Sequence, residues 1–382
     1  MTDEPRIFLS VPHMSGREQE LVGEVFDSNF IAPAGPMIDR FEAAFCATTG
    51  HRAAAALSSG TGAMDIALRL LGVEQGDDVW VADLTFIGGV SPVRYHGANP
   101  VFLDVSADTW TLDPALLANE LEIAARSGSL PKAVIPVDLY GQSCDLDQIV
   151  SLCDRYRIPV VVDSAEAMGA RYKDRHAGKG AKFAIYSFNG NKIITTSGGG
   201  VLASDDDEMI ARARYLSQQA RQPVAHYEHT ETGYNYRMPS LCAAVGVGQL
   251  EVLEERVRRR REIFSTYAGA FEKIPGVSMM PEAEYGTSNR WLTVITLDPT
   301  EVEVTPAEVC LKAEAQNVEC RPVWKPMHQQ PVFETARVVS NGTSDDLFTR
   351  GLCLPSGSAM SDQDVQRVIG VLSEALMGPQ AG

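Results

Sequence analysis

Short β-branched apolar runs alternate with stretches of helical hydrophobic spacing along much of this chain, and that alternation restricts it to an α/β fold around a mainly parallel sheet. Val79-Trp80-Val81, Ala133-Val134-Ile135-Pro136-Val137 and Val160-Val161-Val162-Asp163 read as buried strands, as do Lys182 to Phe188 and Gly200 to Ala203. Uninterrupted apolar runs of this kind suit strands covered on both faces. Between them, Thr61 to Leu71, Asp113 to Ala125 and Leu146 to Tyr156 carry helical spacing. From Met238 to Phe271 the pattern is one long helical region, and after Pro275 a new mixture of strands and helices begins. The expected organisation is a large domain over residues 1–250 and a smaller one over 251–382. At 382 residues the chain is long enough to bury both cores, and no internal repeat or low-complexity tract divides it further.

The net charge of −17 disfavours nucleic acid or an anionic membrane as the main partner, since both need a basic face. A few local donors can still bind a diphosphate against that background. The seven cysteines include no C-x-x-C pair and are odd in number, which suits reduced thiols in a cytoplasmic protein. Met1-Thr2-Asp3-Glu4-Pro5-Arg6 is not a basic leader, and no apolar run approaches the roughly 18 residues of a spanning helix. Arg258 to Arg261 invite a phosphate-binding role, but Glu251, Glu254, Glu255 and Glu262 around them point to a charge-laced, solvated helix face.

Ser187-Phe188-Asn189-Gly190-Asn191-Lys192 precedes Ile193-Ile194-Thr195-Thr196 and Ser197-Gly198-Gly199-Gly200. A lysine held in a tight Asn/Gly turn between two apolar strands, just after a serine, suits a Schiff base with pyridoxal 5′-phosphate (PLP), the serine lying near the phosphate. Most turn lysines are solvated surface residues, so the parts upstream matter. Ser58-Ser59-Gly60-Thr61-Gly62-Ala63 opens a helix whose N-terminal amides and dipole suit a phosphate, with Thr61 adding a hydroxyl; an ordinary N-cap fits the same residues. Asp163 ends an apolar strand at the rim where open α/β sheets bind ligands, and there it could pair with a protonated pyridine nitrogen or merely cap a helix. Phe86 follows a strand ending at Asp83, where it could stack on the pyridine or sit in the core.

In the order Gly/Thr turn, aromatic, strand-end Asp and Ser-x-x-x-x-Lys, the chain resembles the fold type I PLP enzymes, and more narrowly the DegT/StrS family of nucleotide-sugar aminotransferases. The carrying segments are Phe30 to Pro36, Ser59 to Ala63, Leu139-Tyr140-Gly141-Gln142, Asp163 to Ala167, Ser187 to Lys192, Gly233 to Met238 and Arg321 to His328. The resemblance implies a mostly parallel seven-stranded sheet between helices with a smaller C-terminal α/β domain. It makes Lys192 the residue that bonds the cofactor and shuttles the proton, and Asp163 the partner of pyridine N1. Thr61, Gly62 and Ser187 would bind the phosphate, with Asn189 in the same turn and Asn235 reaching over from a second subunit of a homodimer, and Phe86 would stack on the ring. Glu166 stands where many members carry Gln or His, and Gly198 where many carry Glu. Near the cofactor's phenolic oxygen Glu166 would be repelled or protonated.

Those two departures, with Asn289 to Leu292 and Trp324 to His328, resemble the branch acting on UDP-4-keto-6-deoxy-N-acetylhexosamines, the bacillosamine-type enzymes. The implied activity is transfer of an amino group from L-glutamate to C-4 of UDP-2-acetamido-2,6-dideoxy-hexos-4-ulose, with dTDP- and GDP-4-keto-6-deoxyhexoses as alternatives. Arg321, Lys325 and His328, in a segment stiffened by Pro322 and Pro326, would hold the diphosphate; a domain-packing loop is the other use of those prolines. Relatives that dehydrate sugars replace the Schiff-base lysine by histidine, which Lys192 argues against. A PLP-binding regulatory module would need a basic DNA-binding extension absent here.

Overall fold

The computed structural model describes residues 4–377. Its centre is a sheet in the order Ala53–Leu57, Gly200–Ser204, Phe183–Ser187, Val161–Asp163, Ala133–Ile135, Asp78–Ala82 and Asn99–Leu103. The two halves join through parallel bridges of Val134 to Val160 and of Val137 to Asp163. Of these seven strands only Gly200–Ser204 runs antiparallel to its neighbours, and Val338–Val339 adds a short parallel edge beside Asn99–Leu103. This is the seven-stranded α/β sheet expected of fold type I.

The strand residues sort by twos. Ala54, Ala56, Trp80, Ala82, Val134 and Val162 share one apolar core, while Ala53, Ala55, Val79, Val81, Ala133 and Val161 share the other. Alternate side chains leave a pleated strand on opposite faces, so each core is one side of the sheet. Ala53–Leu57 was not among the expected strands, because an alanine run favours helix by intrinsic propensity. Here the small side chains let a strand lie fully buried on both faces, and register with Gly200–Ser204 overrides propensity.

A third core gathers Ile263, Tyr267, Ile295, Leu297, Val309, Leu354, Val368 and Leu372. It lies between the antiparallel sheet Val277–Met279, Thr293–Leu297, Gly351–Leu354 and Arg321–Pro322 and the helices Leu253–Phe271, Pro306–Ala315 and Asp362–Met377. Ile7 belongs to this core too, so an N-terminal residue packs with the C-terminal elements. No helix among the described residues is long and apolar enough to cross a membrane.

Three expectations need correction. The helical region Met238 to Phe271 is two helices, Ser240–Leu250 and Leu253–Phe271, interrupted at Glu251 and Val252. Ile193 to Thr196 form no strand: the Thr196 amide and the Thr195 hydroxyl both donate to the Phe188 carbonyl, and the Thr195 amide donates to Gln249 Oε1. The segment therefore folds back on residue 188, turns at Ser197 (φ 72°) and becomes a strand only at Gly200. The arginine run is not a solvated face either. Arg258 is exposed, but Arg260 is among the most buried large side chains, and its guanidinium donates to the Trp291 carbonyl and to Ser10 Oγ. Burial pulls its pKa down to about 9.

Candidate active site

At the carboxyl ends of the parallel strands lies a cavity of about 650 Å³. Thr61, Phe86, Asp163, Glu166, Ser187, Asn189, Lys192 and Arg321 all line it, whereas Gly62, Asn235, Lys325 and His328 do not. Residues more than 250 positions apart are thus brought to one place, Asp163 and Ser187 by the central sheet and Arg321 by the C-terminal one.

Lys192 points its amine at Glu166 Oε1, 3.2 Å away. The other oxygen of Glu166 accepts the Tyr140 amide at 2.7 Å. That bond helps hold Tyr140 at φ 51°, a conformation uncommon for a bulky side chain. Burial is the main cause that pushes the Glu166 pKa up to about 7; neighbouring Asp163 adds to the rise, while Lys192 and the Tyr140 amide oppose it. Asp163 is likewise buried, which raises its pKa against the pull of the Lys192 amine. Two carboxylates and one amine therefore share a poorly solvated space, where small changes in geometry alter which of them carries a proton.

Asp163 Oδ1 accepts the Ala165 amide at 3.0 Å, yet no helix begins there, so the N-cap alternative does not apply. Its Oδ2 lies on the cavity side, where a Cβ on Gly89 would come within 2.3 Å of it. Any other residue at position 89 would push that oxygen aside. Gly200 serves the same end across the site: a Cβ there would lie 2.3 Å from the Ser59 carbonyl carbon, so glycine lets the N-terminus of helix Gly60–Leu70 approach the Ser187 strand end. At that terminus Ser59, not Thr61, is the N-cap; its Oγ accepts the Gly62 amide at 2.9 Å. The Gly62 amide is therefore engaged inside the helix cap, which is why Gly62 does not reach the cavity. Thr61 and Ser187 do line it.

Phe86 is 59% exposed and tilts against Trp324 with ring centroids 5.7 Å apart, so it is no core residue. Arg321 lines the mouth, but its guanidinium already contacts Glu319 Oε1 at 2.7 and 3.1 Å. His328 is turned away. Its Nδ1 lies 2.6 Å from Asp83 Oδ2, its Nε2 3.2 Å from Asp345 and its amide 3.0 Å from Asp83 Oδ1, which makes it a clamp on the strand end. Those two carboxylates engage both ring nitrogens, and His328 does not line the cavity. Asn235 is exposed on a segment bridged to Gln218.

Sequence reasoning gave no individual site role to several parts of the wall. Phe8, Leu9, Ser10 and Val11 form one side, tied down where the Leu9 amide donates to Glu319 Oε2 and Ser10 Oγ donates to the Asn191 carbonyl. Trp291 and Trp324 form another, with Tyr140 between them at 6.4 and 5.1 Å between centroids. Trp291 and Trp324 lie in the two segments, Asn289 to Leu292 and Trp324 to His328, that carry the branch resemblance, whereas Phe8 to Val11 gave no signal. An amine beside carboxylates, hydroxyls at a helix N-terminus and strand end, and a glycine that keeps the Asp163 oxygen open together fit PLP. No metal-binding group of His, Cys, Asp or Glu occurs among the described residues.

The DegT/DnrJ/EryC1/StrS aminotransferase family matches residues 12–373. EpsN of Bacillus subtilis (strain 168), which bears the name of a pyridoxal phosphate-dependent aminotransferase with no stated substrate, is 50% identical over 371 residues, covering 96% of this chain and 95% of EpsN. The GDP-perosamine synthase of Caulobacter vibrioides is 35% identical, covering 99% of this chain and all of that one. Among solved structures, the aminotransferase TlmJ from Streptoalloteichus hindustanus superposes with a TM-score of 0.88 at 28% identity, covering 97% of this chain and 98% of TlmJ. Fold and relatives define a PLP-dependent aminotransferase of fold type I. The chain belongs to the DegT/DnrJ/EryC1/StrS aminotransferase family.

Proposed function

We propose that the protein moves an amino group from L-glutamate to C-4 of a nucleotide-linked 4-keto-6-deoxysugar in the cytoplasm. The observation that carries this reading is the Lys192 amine, set between Glu166 and the cavity in a chain of this family. PLP, when bound, supplies an electron sink for the negative charge that develops where a carbon loses its proton. Lys192 bonds the cofactor and, when its amine is free, takes a proton from one carbon and delivers it to the other. Asp163 Oδ2 holds the pyridine N1 proton. Its low-dielectric surroundings strengthen that charge pair. Thr61, Ser187 and Asn189 bind the phosphate, helped by the Gly60–Leu70 helix terminus, and Phe86 covers one ring face. Glu166 sits beside the amine and exchanges charge with it. The large part that binds the cofactor ends near residue 250, and the remainder contributes the mouth.

Each site is completed by a second copy of the chain. Asn235 is exposed, and Phe30, Ile31, Tyr95 and Tyr227 are large apolar side chains left in solvent by one chain alone. Sedimentation at micromolar concentration should report a dimer; an active monomer would contradict the shared site.

For the sugar, Glu166, Gly198, Asn289 to Leu292 and Trp324 to His328 support UDP-2-acetamido-2,6-dideoxy-hexos-4-ulose. The similarity to GDP-perosamine synthase supports a GDP-4-keto-6-deoxyhexose as the second reading. Steady-state kinetics with L-glutamate and UDP-, GDP- and dTDP-linked 4-ketosugars decides between them. The highest kcat/KM is expected for the UDP-acetamido sugar; a higher value for the GDP sugar selects the second reading, and no amination of any 4-ketosugar overturns the function.

A further inference from the structure

Trp291 is fixed at every polar atom. Its amide donates to Asn289 Oδ1 at 2.7 Å, its indole Nε1 donates to the Asn191 carbonyl at 2.8 Å, and its own carbonyl accepts from the buried Arg260 guanidinium. Asn289 is held in turn, since its Nδ2 donates to the carbonyls of Glu166 and Met168. The backbone of Trp291 is therefore pinned at its amide and its carbonyl, and the indole cannot turn without breaking its own bond to the Asn191 carbonyl. Held this way, its face lies beneath the Lys192 amine, with Nζ 4.1 Å from the ring centroid. The same amine donates to Glu166 Oε1.

We propose that Trp291 is a positioning residue for Lys192, and that its π face and the Glu166 carboxylate together form the resting place of the lysine ammonium whenever that amine is not bonded to the cofactor. This rests on the reading of Lys192 as the cofactor-bearing amine. Transamination requires such a place. In one half of the cycle the amino group travels on the cofactor, and a lysine on a flexible four-carbon stem is free to wander toward the mouth or toward the other carboxylate. Asp163 is that other carboxylate, and it faces the amine from the end of its strand. Tyr140 and Cys353, packed against Glu166, are both pushed by burial to stay neutral, so they offer the ammonium no charge. An aromatic face attracts a cation most where water is excluded, and it does so without taking the proton, which a carboxylate can. The ring thus favours the ammonium at the Glu166 side of the cavity while leaving it able to return.

The test reads the amine directly in protein stripped of cofactor. Lys192 is labelled competitively with acetic anhydride across a pH series, and the extent is read on its peptide by mass spectrometry. Trp291→Leu removes a desolvated cation–π contact, so its labelling midpoint should fall by about one pH unit, with Trp291→Phe recovering most of the shift. Fluorinated tryptophan, incorporated throughout, keeps the shape and hydrogen bonds of the indole while draining charge from its face. The midpoint should fall further with each added fluorine, even where Trp291→Leu does not fold. Midpoints that stay with the wild type in the fluorinated protein overturn the proposal. Borohydride reduction of the holoprotein followed by peptide mapping tests the underlying reading separately: a tag on a lysine other than Lys192 sinks that reading, whereas a tag on Lys192 with unmoved midpoints sinks only the role of Trp291.

Discussion

At the floor of the cavity Asp163 and Ser187 end strands buried on both faces, and Glu166 and Lys192 follow a few residues later; at the mouth Phe86 and Arg321 stand on segments that leave each more than half exposed. The floor residues have few alternatives. Glu166 is tied to Tyr140 and Lys192, and Asp163 is boxed against Gly89. The mouth residues lean on other parts of the protein, Arg321 on Glu319 and Phe86 on Trp324. The contrast teaches that the floor is fixed by the sheet, while at the mouth Arg321 would have to exchange an internal partner before it could hold a ligand.

That contrast can be broken most simply at Lys192. Lys192→Ala should remove the visible absorbance of the bound cofactor and lower turnover by more than about a thousandfold with the fold intact by circular dichroism. Activity near wild type would dissolve the distinction between floor and mouth. Asp163→Asn should leave cofactor binding in place and slow the proton-transfer step about a hundredfold, measured as a half-reaction with glutamate in a stopped-flow spectrometer. A loss of less than threefold would mean that Oδ2 faces no developing charge. At the mouth, Arg321→Ala should raise the KM for the sugar nucleotide roughly tenfold with little change in kcat, because the contact is one of uniform binding and Glu319 already competes for it. A fall in kcat as large as the rise in KM would make Arg321 part of the floor.

The smallest effect sharpens the comparison in the cofactor-free protein. Burial pushes the Glu166 pKa up to about 7 from its ordinary 4.5, so the folded state holds its proton more tightly than the unfolded chain does. A carboxylate whose pKa is raised by folding destabilises the fold above that pKa, and the penalty fades as pH falls toward the unfolded value. Glu166→Gln should therefore stabilise the protein at pH 8 relative to wild type, and the advantage should shrink by about 2 kcal/mol at pH 5, measured by urea denaturation. An advantage independent of pH would show that Glu166 is no more burdened than a surface carboxylate.

What was legible in the sequence follows the same division. Asp163, Ser187 and Lys192 could be expected at one rim because each is a polar residue at or just past the end of an apolar strand, and all three line the cavity. Gly62 is held by the local cap that its own sequence already offered, whereas the hold of Asp83 Oδ2 on His328 is a matter of tertiary geometry. Arg260 is the clearest case. Its flanking glutamates suggested a solvated helix, yet its partners are Ser10, 250 positions away, and Trp291, 31 away. Ala53–Leu57 escaped notice for a related reason: nothing in an alanine run announces that Gly200–Ser204 waits to pair with it.

The segment around Ile7 and Leu9 has a consequence for how the protein is made. Ile7 exchanges backbone hydrogen bonds with Asn317 and Glu319, and the Leu9 carbonyl accepts the Ser356 amide. During synthesis those partners emerge from the ribosome last, so one wall of the cavity cannot be raised while translation continues, however early the central sheet collapses. Cofactor capture is then a late event in the life of the polypeptide, and a nascent chain stalled before residue 317 would hold Lys192 and Asp163 in a cleft still open to water.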